Sequence, residues 1–307
     1  MKNYDQVDIA NTGINTIYHV CTSENHHDIF FCDDDYKSAI NIMALTLALY
    51  EDLELFAFEL MSNHIHLAIS GSKDRIDDFF KMFLKYLARY FRNEGATNDL
   101  SDISVSYHVI RDLDHLLNVI VYIHRNASVA NRQVSPYTYK WGSGRYYFNP
   151  EAKDRYLDNR KSLTMKLRQC FSHSRKFDNV FGLYEMDNYI SPLCFCKVDK
   201  GESFFSSPNQ YLYMLCKNVE GTRSIAEEIG EQITYSDTDL YQVVRKLASK
   251  YFNAEDATVL SSSQKMRIAR TLHYDYNSGN KQVARLLKLD LRIADSLFPQ
   301  STAPRNR

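Results

Sequence analysis

The chain has no run approaching the roughly 18 apolar residues that a membrane-spanning helix needs, which excludes a helical membrane protein. Its start, Met1-Lys2-Asn3-Tyr4-Asp5-Gln6, lacks an apolar signal core, so a cytoplasmic location with no membrane partner is expected. The six cysteines show no C-x-x-C spacing, and Cys194-x-Cys196 has no second pair. That argues against a structural zinc and favours free thiols in a reducing compartment. No glycine-rich phosphate-cradling loop is present, so nothing points to chemistry driven by a nucleoside triphosphate. Repeats and low-complexity segments are absent too. Nor is there an excess of positive charge, since the formal net charge is −1. The charge is uneven: residues 1–150 hold 13 basic and 19 acidic side chains, residues 151–307 hold 24 and 19. Phosphate affinity, if the chain binds nucleic acid, would come mainly from the second half.

What is present is a soluble globular composition, with 44% hydrophobic and 24% charged residues. A chain of 307 residues has room for two domains. Residues 14–21 have strand character. Residues 33–50 are helical with an acidic start that suits a helix N-terminus. Two strands, 53–61 and 63–70, are close enough to pair as a hairpin. An amphipathic helix follows over 75–93, with Lys81, Lys85, Arg89 and Arg92 off its apolar face. A strand over 103–110 leads to a helix through 126. Residues 1–11 are a loose lead. The order βαββαβα predicts an α+β fold with an antiparallel sheet and helices on one face. Residues 1–150 are expected to form this domain, and 151–307 a helical C-terminal region.

The most informative motif is His64-Ile65-His66 within the apolar run Leu60-Met61-Ser62-Asn63-His64-Ile65-His66-Leu67. Side chains alternate along a strand, so the two imidazoles share a face and can hold one divalent metal. The competing reading is a half-buried strand with two solvated histidines. About fifty residues on, Leu116, Val119, Ile120 and Ile123 form a helical apolar stripe, and His115, Asn118, Tyr122 and Asn126 form another. Asp112 or Asp114 can cap this helix. Tyr122 is a candidate nucleophile beside such a metal. Alternatively it is a boundary aromatic, one of 22 tyrosines. Glu59, His108 and His124 are further candidates. A structural role is favoured for Glu59, and His124 lies on a different helical face from Tyr122.

Three blocks taken together, Tyr18-His19-Val20 through Phe30-Phe31-Cys32-Asp33-Asp34, then Ala57 to Leu67, then Tyr122-Ile123-His124-Arg125-Asn126, resemble the REP-associated tyrosine transposases. These are single-tyrosine transposases of the HUH single-strand endonuclease superfamily, and the resemblance spans residues 12–148. Ser62 stands where that family has proline before its Asn-His, Ala127 stands where it has proline after Asn126, and its Gly-His-x-x-Trp block is not recognisable around residues 100–107. The metal and nucleophile positions are intact. The resemblance implies a ferredoxin-like HUH nuclease fold, Tyr122 as nucleophile, His64 and His66 as catalytic metal ligands, and Asn126 as third ligand. It implies Mg²⁺ or Mn²⁺, of which Mn²⁺ suits imidazole better. The expected activity is cleavage and rejoining of single-stranded or hairpin DNA through a 5′-phosphotyrosine. A homodimer is compatible with this. The alternative function is a transposase-derived DNA-binding protein with a regulatory or structural role and no required catalysis. A weaker third is a metal-dependent hydrolase with water as nucleophile.

Two segments bear on DNA. Tyr137, Tyr139, Trp141, Tyr146, Tyr147 and Phe148 interleave with Lys140 and Arg145, which suits base stacking on single strands or, equally, covering the end of the sheet. Residues 264–298 read as short helices, and Asn280 to Leu287 is similar to the helix-turn-helix tails of longer members of the same family. The region is then a duplex-DNA contact, with Lys281, Arg285, Lys288 and Arg292 as candidate residues, or else a plain three-helix bundle. Replacing those four side chains with neutral ones should lower the salt slope of duplex binding by about one for each phosphate they neutralise. An unchanged slope across a potassium chloride titration marks the region as a packing module.

Overall fold

The computed structural model describes residues 16–23, 28–95, 100, 103–130, 135–217, 219–231, 235 and 237–299. The expected loose lead over residues 1–11 lies outside them. The chain divides into two units, Met1–Leu215 and Cys216–Arg307. Among the described residues no helix is long and apolar enough to cross a membrane.

The first unit follows the expected order: β1 (Ile17–Thr22), α1 (Asp33–Leu47), β2 (Glu54–Leu60), β3 (Ile65–Ser70), α2 (Lys73–Asn93), β4 (Val105–Val109) and α3 (Leu113–Ala130). Capping fixes the helix starts. Asp33, Asp34 and Asp35 occupy the first turn of α1, and Cys32 and Asp35 form a capping box there. The Ser72 hydroxyl accepts from the Arg75 N–H at α2. Asp112 accepts from the His115 N–H at 2.7 Å and starts α3.

The sheet is antiparallel with order β2-β3-β1-β4. Both crossovers, β1-α1-β2 and β3-α2-β4, skip one strand, and right-handed connection puts both helices on the same face. The Tyr107 hydroxyl marks that face, donating to Asp77 of α2 at 2.8 Å. Helix α3 instead covers the opposite face, where its Tyr122 lies against His19 and His66. The expectation of helices on one face therefore holds for α1 and α2. It does not extend to α3, whose apolar stripe closes the second side of the sheet.

The unit continues past residue 150, the boundary expected from the sequence, because the following segments are tied to β2, as at Lys197, or to α1, as where the Ile190 N–H donates to Asn41 Oδ1 at 2.7 Å. They comprise α4 (Pro150–Asn159), a small antiparallel sheet of β5 (Lys161–Ser162), β6 (Tyr184–Met186) and β7 (Tyr189–Ile190), α5 (Met165–Ser172), α6 (Val198–Ser203) and most of α7 (Pro208–Lys217). Residues 151–215 are thus not purely helical as expected. Strand β2 is the edge of the main sheet, and its outer side is hydrogen-bonded along its length: Leu60 N–H to Trp141 O, Ser143 N–H to Phe58 O, and Lys197 N–H to Leu55 O. Gly201 is required where α6 meets this strap, since a Cβ there would collide with the Tyr147 hydroxyl oxygen.

The aromatic segment is absorbed by the same packing. Trp141 stacks on Tyr36 at 5.0 Å, Tyr146 and Tyr147 are buried, and Tyr147 donates to Phe56 O. Of the two readings, covering the sheet is the one the structure realises for these rings.

The second unit is helical, as expected: α8 (Val219–Ile229), α9 (Asp237–Phe252), α10 (Ser262–Asp275), α11 (Asn280–Leu287) and α12 (Leu291–Leu297). Its core comes from Leu240, Val244, Ile268, Leu272, Val283 and Leu287. Lys288 takes the left-handed conformation at the end of α11, and Asp290 caps α12. Arg285, one of the four candidate contacts, is paired with Asp237 at 3.0 Å.

A buried polar knot anchors the strap. Ser143 Oγ accepts from the Phe58 N–H at 2.9 Å and lies 2.8 Å from His124 Nε2, while His124 Nδ1 lies 3.0 Å from the Tyr211 hydroxyl. Ser143→Ala leaves a backbone N–H and an imidazole nitrogen unsatisfied in a dry site. The expected cost is about 2–3 kcal/mol, read as a lower urea midpoint at constant m-value. A loss under about 0.5 kcal/mol, the surface-substitution range, would place the anchor elsewhere.

Candidate functional site

The β3 strand carries His66 between two partners in register. Glu59 of β2 stands opposite it on one side and Cys21 of β1 on the other. The next row across the same face is Ala57, Ala68, His19 and His108. The hairpin sets this alignment by pairing Leu60 with Ile65, from which the register runs unbroken to Ala57 opposite Ala68. Past Ala57 the register shifts by one, leaving Phe56 as an extra residue before Leu55 pairs with Ile69.

His64 sits in the hairpin just before β3. Its ring centroid is 4.8 Å from that of His66, with the planes at 83°. The two histidines therefore share a side, as the strand alternation predicts. His64 Nδ1 is 2.7 Å from Asn63 Oδ1. The carboxamide oxygen can only accept, so Nδ1 carries the proton and Nε2 the lone pair. Among the described residues His64 Nε2 is buried and makes no hydrogen bond.

Tyr122 projects from α3 onto this group. Its ring centroid is 5.6 Å from His66 and 5.9 Å from His19, edge-on to both. Asn126 lies one turn further along α3, and its amide nitrogen is buried without a hydrogen bond among the described residues. The neighbouring Ala127 N–H donates to Glu59 Oε1 at 2.7 Å, which ties this turn of α3 to the strand position opposite His66. His124 points away, into the polar knot with Ser143 and Tyr211, so its exclusion from the ligand set is consistent with its surroundings.

His19 is the functional candidate that residue-by-residue reading missed. Its Nε2 lies 3.2 Å from His66 Nδ1, and it is 1% exposed. The signal was available: His19 and Cys21 alternate on a strand, and the ferredoxin-like strand order makes β1 the neighbour of β3.

Burial controls the charge state throughout. It drives the His64 pKa down to about 4 and the His19 pKa down to about 3, the latter with help from His108 and His115. The His66 pKa is pushed well below its ordinary value by burial first, then by His64 and His19. All three imidazoles are neutral near pH 7, the form that binds metal. These folded-state values lie below the ordinary 6.5, so the stability tied to neutral histidines is lost as pH falls from 6.5 toward 3–4. Glu59 moves the other way: burial raises its carboxyl from 4.5 to about 8, opposed by the Ala127 N–H.

No protein-family model matches the chain, and no curated protein does. Among solved structures it is similar to one described as the structure of a REP-associated tyrosine transposase bound to a REP hairpin. The identity is 15% and the TM-score 0.34, covering 48% of this chain and 86% of that chain. A likeness this loose fixes no chemistry.

Glu59 has a folded pKa above its unfolded value, so its contribution is complete below about pH 4.5 and is lost as pH rises through about 8. Glu59→Gln keeps the shape and an acceptor for Ala127 but cannot ionise. Measured in chelator, its stability relative to the parent should climb by on the order of a few kcal/mol between about pH 5 and pH 8. A constant difference across that range would show that the carboxyl ionises freely in the folded protein.

Proposed function

We propose that the chain is a single-tyrosine DNA strand transferase that cleaves and rejoins one strand through Tyr122. The observation that carries this reading is the seating of the Tyr122 ring 5.6 Å from His66, with His64 4.8 Å beyond on the same side. The three-block resemblance to REP-associated tyrosine transposases supports it. In this reading His64, His66 and Asn126 hold Mg²⁺ or Mn²⁺. The donor set fits such an ion: neutral imidazoles, one with its lone-pair nitrogen buried and unbonded, and an amide that would contribute its oxygen. When bound, the ion neutralises charge on a non-bridging phosphate oxygen.

The chain's own chemistry follows. The Tyr122 oxygen attacks phosphorus as its phenol proton is lost. The bond from phosphorus to the 3′-oxygen breaks, that oxygen takes up a proton, and the 5′-phosphate stays on the tyrosine. The bond energy is retained, so a second 3′-hydroxyl can reverse the step without a nucleotide cofactor. A lone nucleophile acts on one strand, so the substrate class is single-stranded or hairpin DNA. Helices α10 to α12 supply duplex affinity, through Lys281, Lys288 and Arg292 in preference to the paired Arg285. A homodimer would place two such tyrosines on one DNA.

One observation favours the second reading, a DNA-binding protein without catalysis: Tyr122 is only 3% exposed. Strand transfer needs the phenol opened to the phosphate.

Tyr122→Phe separates the two. The parent, incubated with labelled hairpin DNA and Mn²⁺, should give a covalent adduct on a denaturing gel. The variant should bind metal and DNA equally well and give none. Equal cleavage by the variant would make water or another tyrosine the nucleophile. If the parent binds hairpins but cleaves none, the non-catalytic reading stands. His64→Ala with His66→Ala should abolish both Mn²⁺ binding by calorimetry and the adduct.

A further inference from the structure

The same face carries a second set of donors that the strand-transfer reading leaves unused. Cys21 and His66 are a direct cross-strand pair on the two central strands, and His19 is two residues before Cys21 on the same side. The Cys21 sulfur and one nitrogen each of His19 and His66 all lie within 4.8 Å of one another, and all three residues are buried.

We propose that His19, Cys21 and His66 form a metal site of their own, which takes a thiophilic divalent ion of the zinc class. The nitrogen spacing is the first support. Two imidazoles on a tetrahedral zinc, each at about 2.0–2.1 Å, stand about 3.3 Å apart. His19 Nε2 and His66 Nδ1 stand 3.2 Å apart. The donor chemistry is the second. Two imidazoles and a thiolate select zinc over Mg²⁺ or Mn²⁺, whereas two imidazoles and an amide oxygen do not. The scaffold is the third, because adjacent antiparallel strands hold the donors before any metal arrives. A fourth donor is at hand in His108. It is the cross-strand partner of His19, its ring is 6.3 Å away, and its Nε2 is buried without a hydrogen bond among the described residues.

Metal uptake replaces the Cys21 thiol proton and releases it. His66 contributes Nδ1 here, so only its Nε2 can serve a metal shared with His64. The two sites meet in one imidazole. Zinc in the inner site fixes the ring that the outer site depends on. Zinc binding at the inner site does not require Tyr122 to be a nucleophile.

X-ray absorption on the full-length, metal-stripped protein reloaded with one equivalent of Zn²⁺ tests it. The expected spectrum shows one sulfur at about 2.3 Å with nitrogens at about 2.0–2.1 Å. His64→Ala, Asn126→Ala and Tyr122→Phe should all keep the sulfur shell. Cys21→Ser and Cys21→Ala should lose it and weaken Zn²⁺ by more than the ~10–100-fold that follows removal of an outer-shell partner. A parent spectrum of nitrogen and oxygen alone overturns the proposal. So does a sulfur shell that survives in both Cys21 variants, which would assign zinc to the exposed thiols of Cys32, Cys170 or Cys216. If circular dichroism shows that neither Cys21 variant folds, His19→Gln decides: a Zn²⁺ affinity reduced at least ~10-fold with sulfur retained supports the site, and an unchanged affinity overturns it.

Discussion

The pairing of β3 between β2 and β1 is the constraint on which the candidate chemistry depends. Strand pairing is periodic, so choosing one register chooses every cross-strand neighbour at once. Here that choice lines up Glu59, His66 and Cys21 in one row and brings His19 to the His108 row beside it. Glu59 and His66 meet across a hairpin, but Cys21, His19 and His108 are more than forty residues from their partners in sequence. The hydrogen-bond ladder makes them neighbours, and α3 then lays Tyr122 over the result. Strand β2 keeps its place because its outer edge is occupied by the strap through Trp141, Ser143 and Lys197, which removes an open edge as well as ordering the site.

Exclusion of water is the second unifying fact. The histidines, Glu59 and the Cys21 thiol lie in a dry layer between sheet and helix, and desolvation is the leading cause of the shifts at His19, His64, His66 and Glu59. The layer is consequently almost without charge near neutral pH. A charge introduced there, from a metal ion or a phosphate, meets little competing solvent, and its interactions with fixed dipoles are correspondingly stronger. His124, which points away from this layer, can be buried deep in the unit because Ser143 and Tyr211 engage both of its ring nitrogens.

Much of this was legible from local pattern. The acidic start of α1, the Asp112 cap of α3, the shared side of His64 and His66 and the run of helices over 262–297 all follow from spacing of a few residues. What was not legible is non-local. The extent of the first unit depends on hydrogen bonds between β2 and residues more than eighty positions away. The packing role of Trp141, Tyr146 and Tyr147 depends on the same edge, and a string of aromatics and cations reads alike for a stacking surface and a packed strap. His19 escaped notice because a single histidine gains meaning only once its strand is known to border His66. The small sheet of β5, β6 and β7 has strands of two or three residues, too short to leave a periodic trace.

The bulge at Phe56 has a consequence for how this protein can change over time. The hairpin pairs Leu60 with Ile65 and so fixes Glu59 opposite His66, and the bulge holds one extra residue beyond the site. Losing the Phe56 codon would straighten β2 and leave that row intact, whereas a codon gained or lost between Glu59 and His66 would slide β2 against the histidine strand. Point substitutions sample one position each, whereas an insertion or deletion here rewrites the whole face. Lineages carrying this chain should accordingly hold the spacing from Glu59 to the histidine pair constant while tolerating the gain or loss of a residue at the bulge.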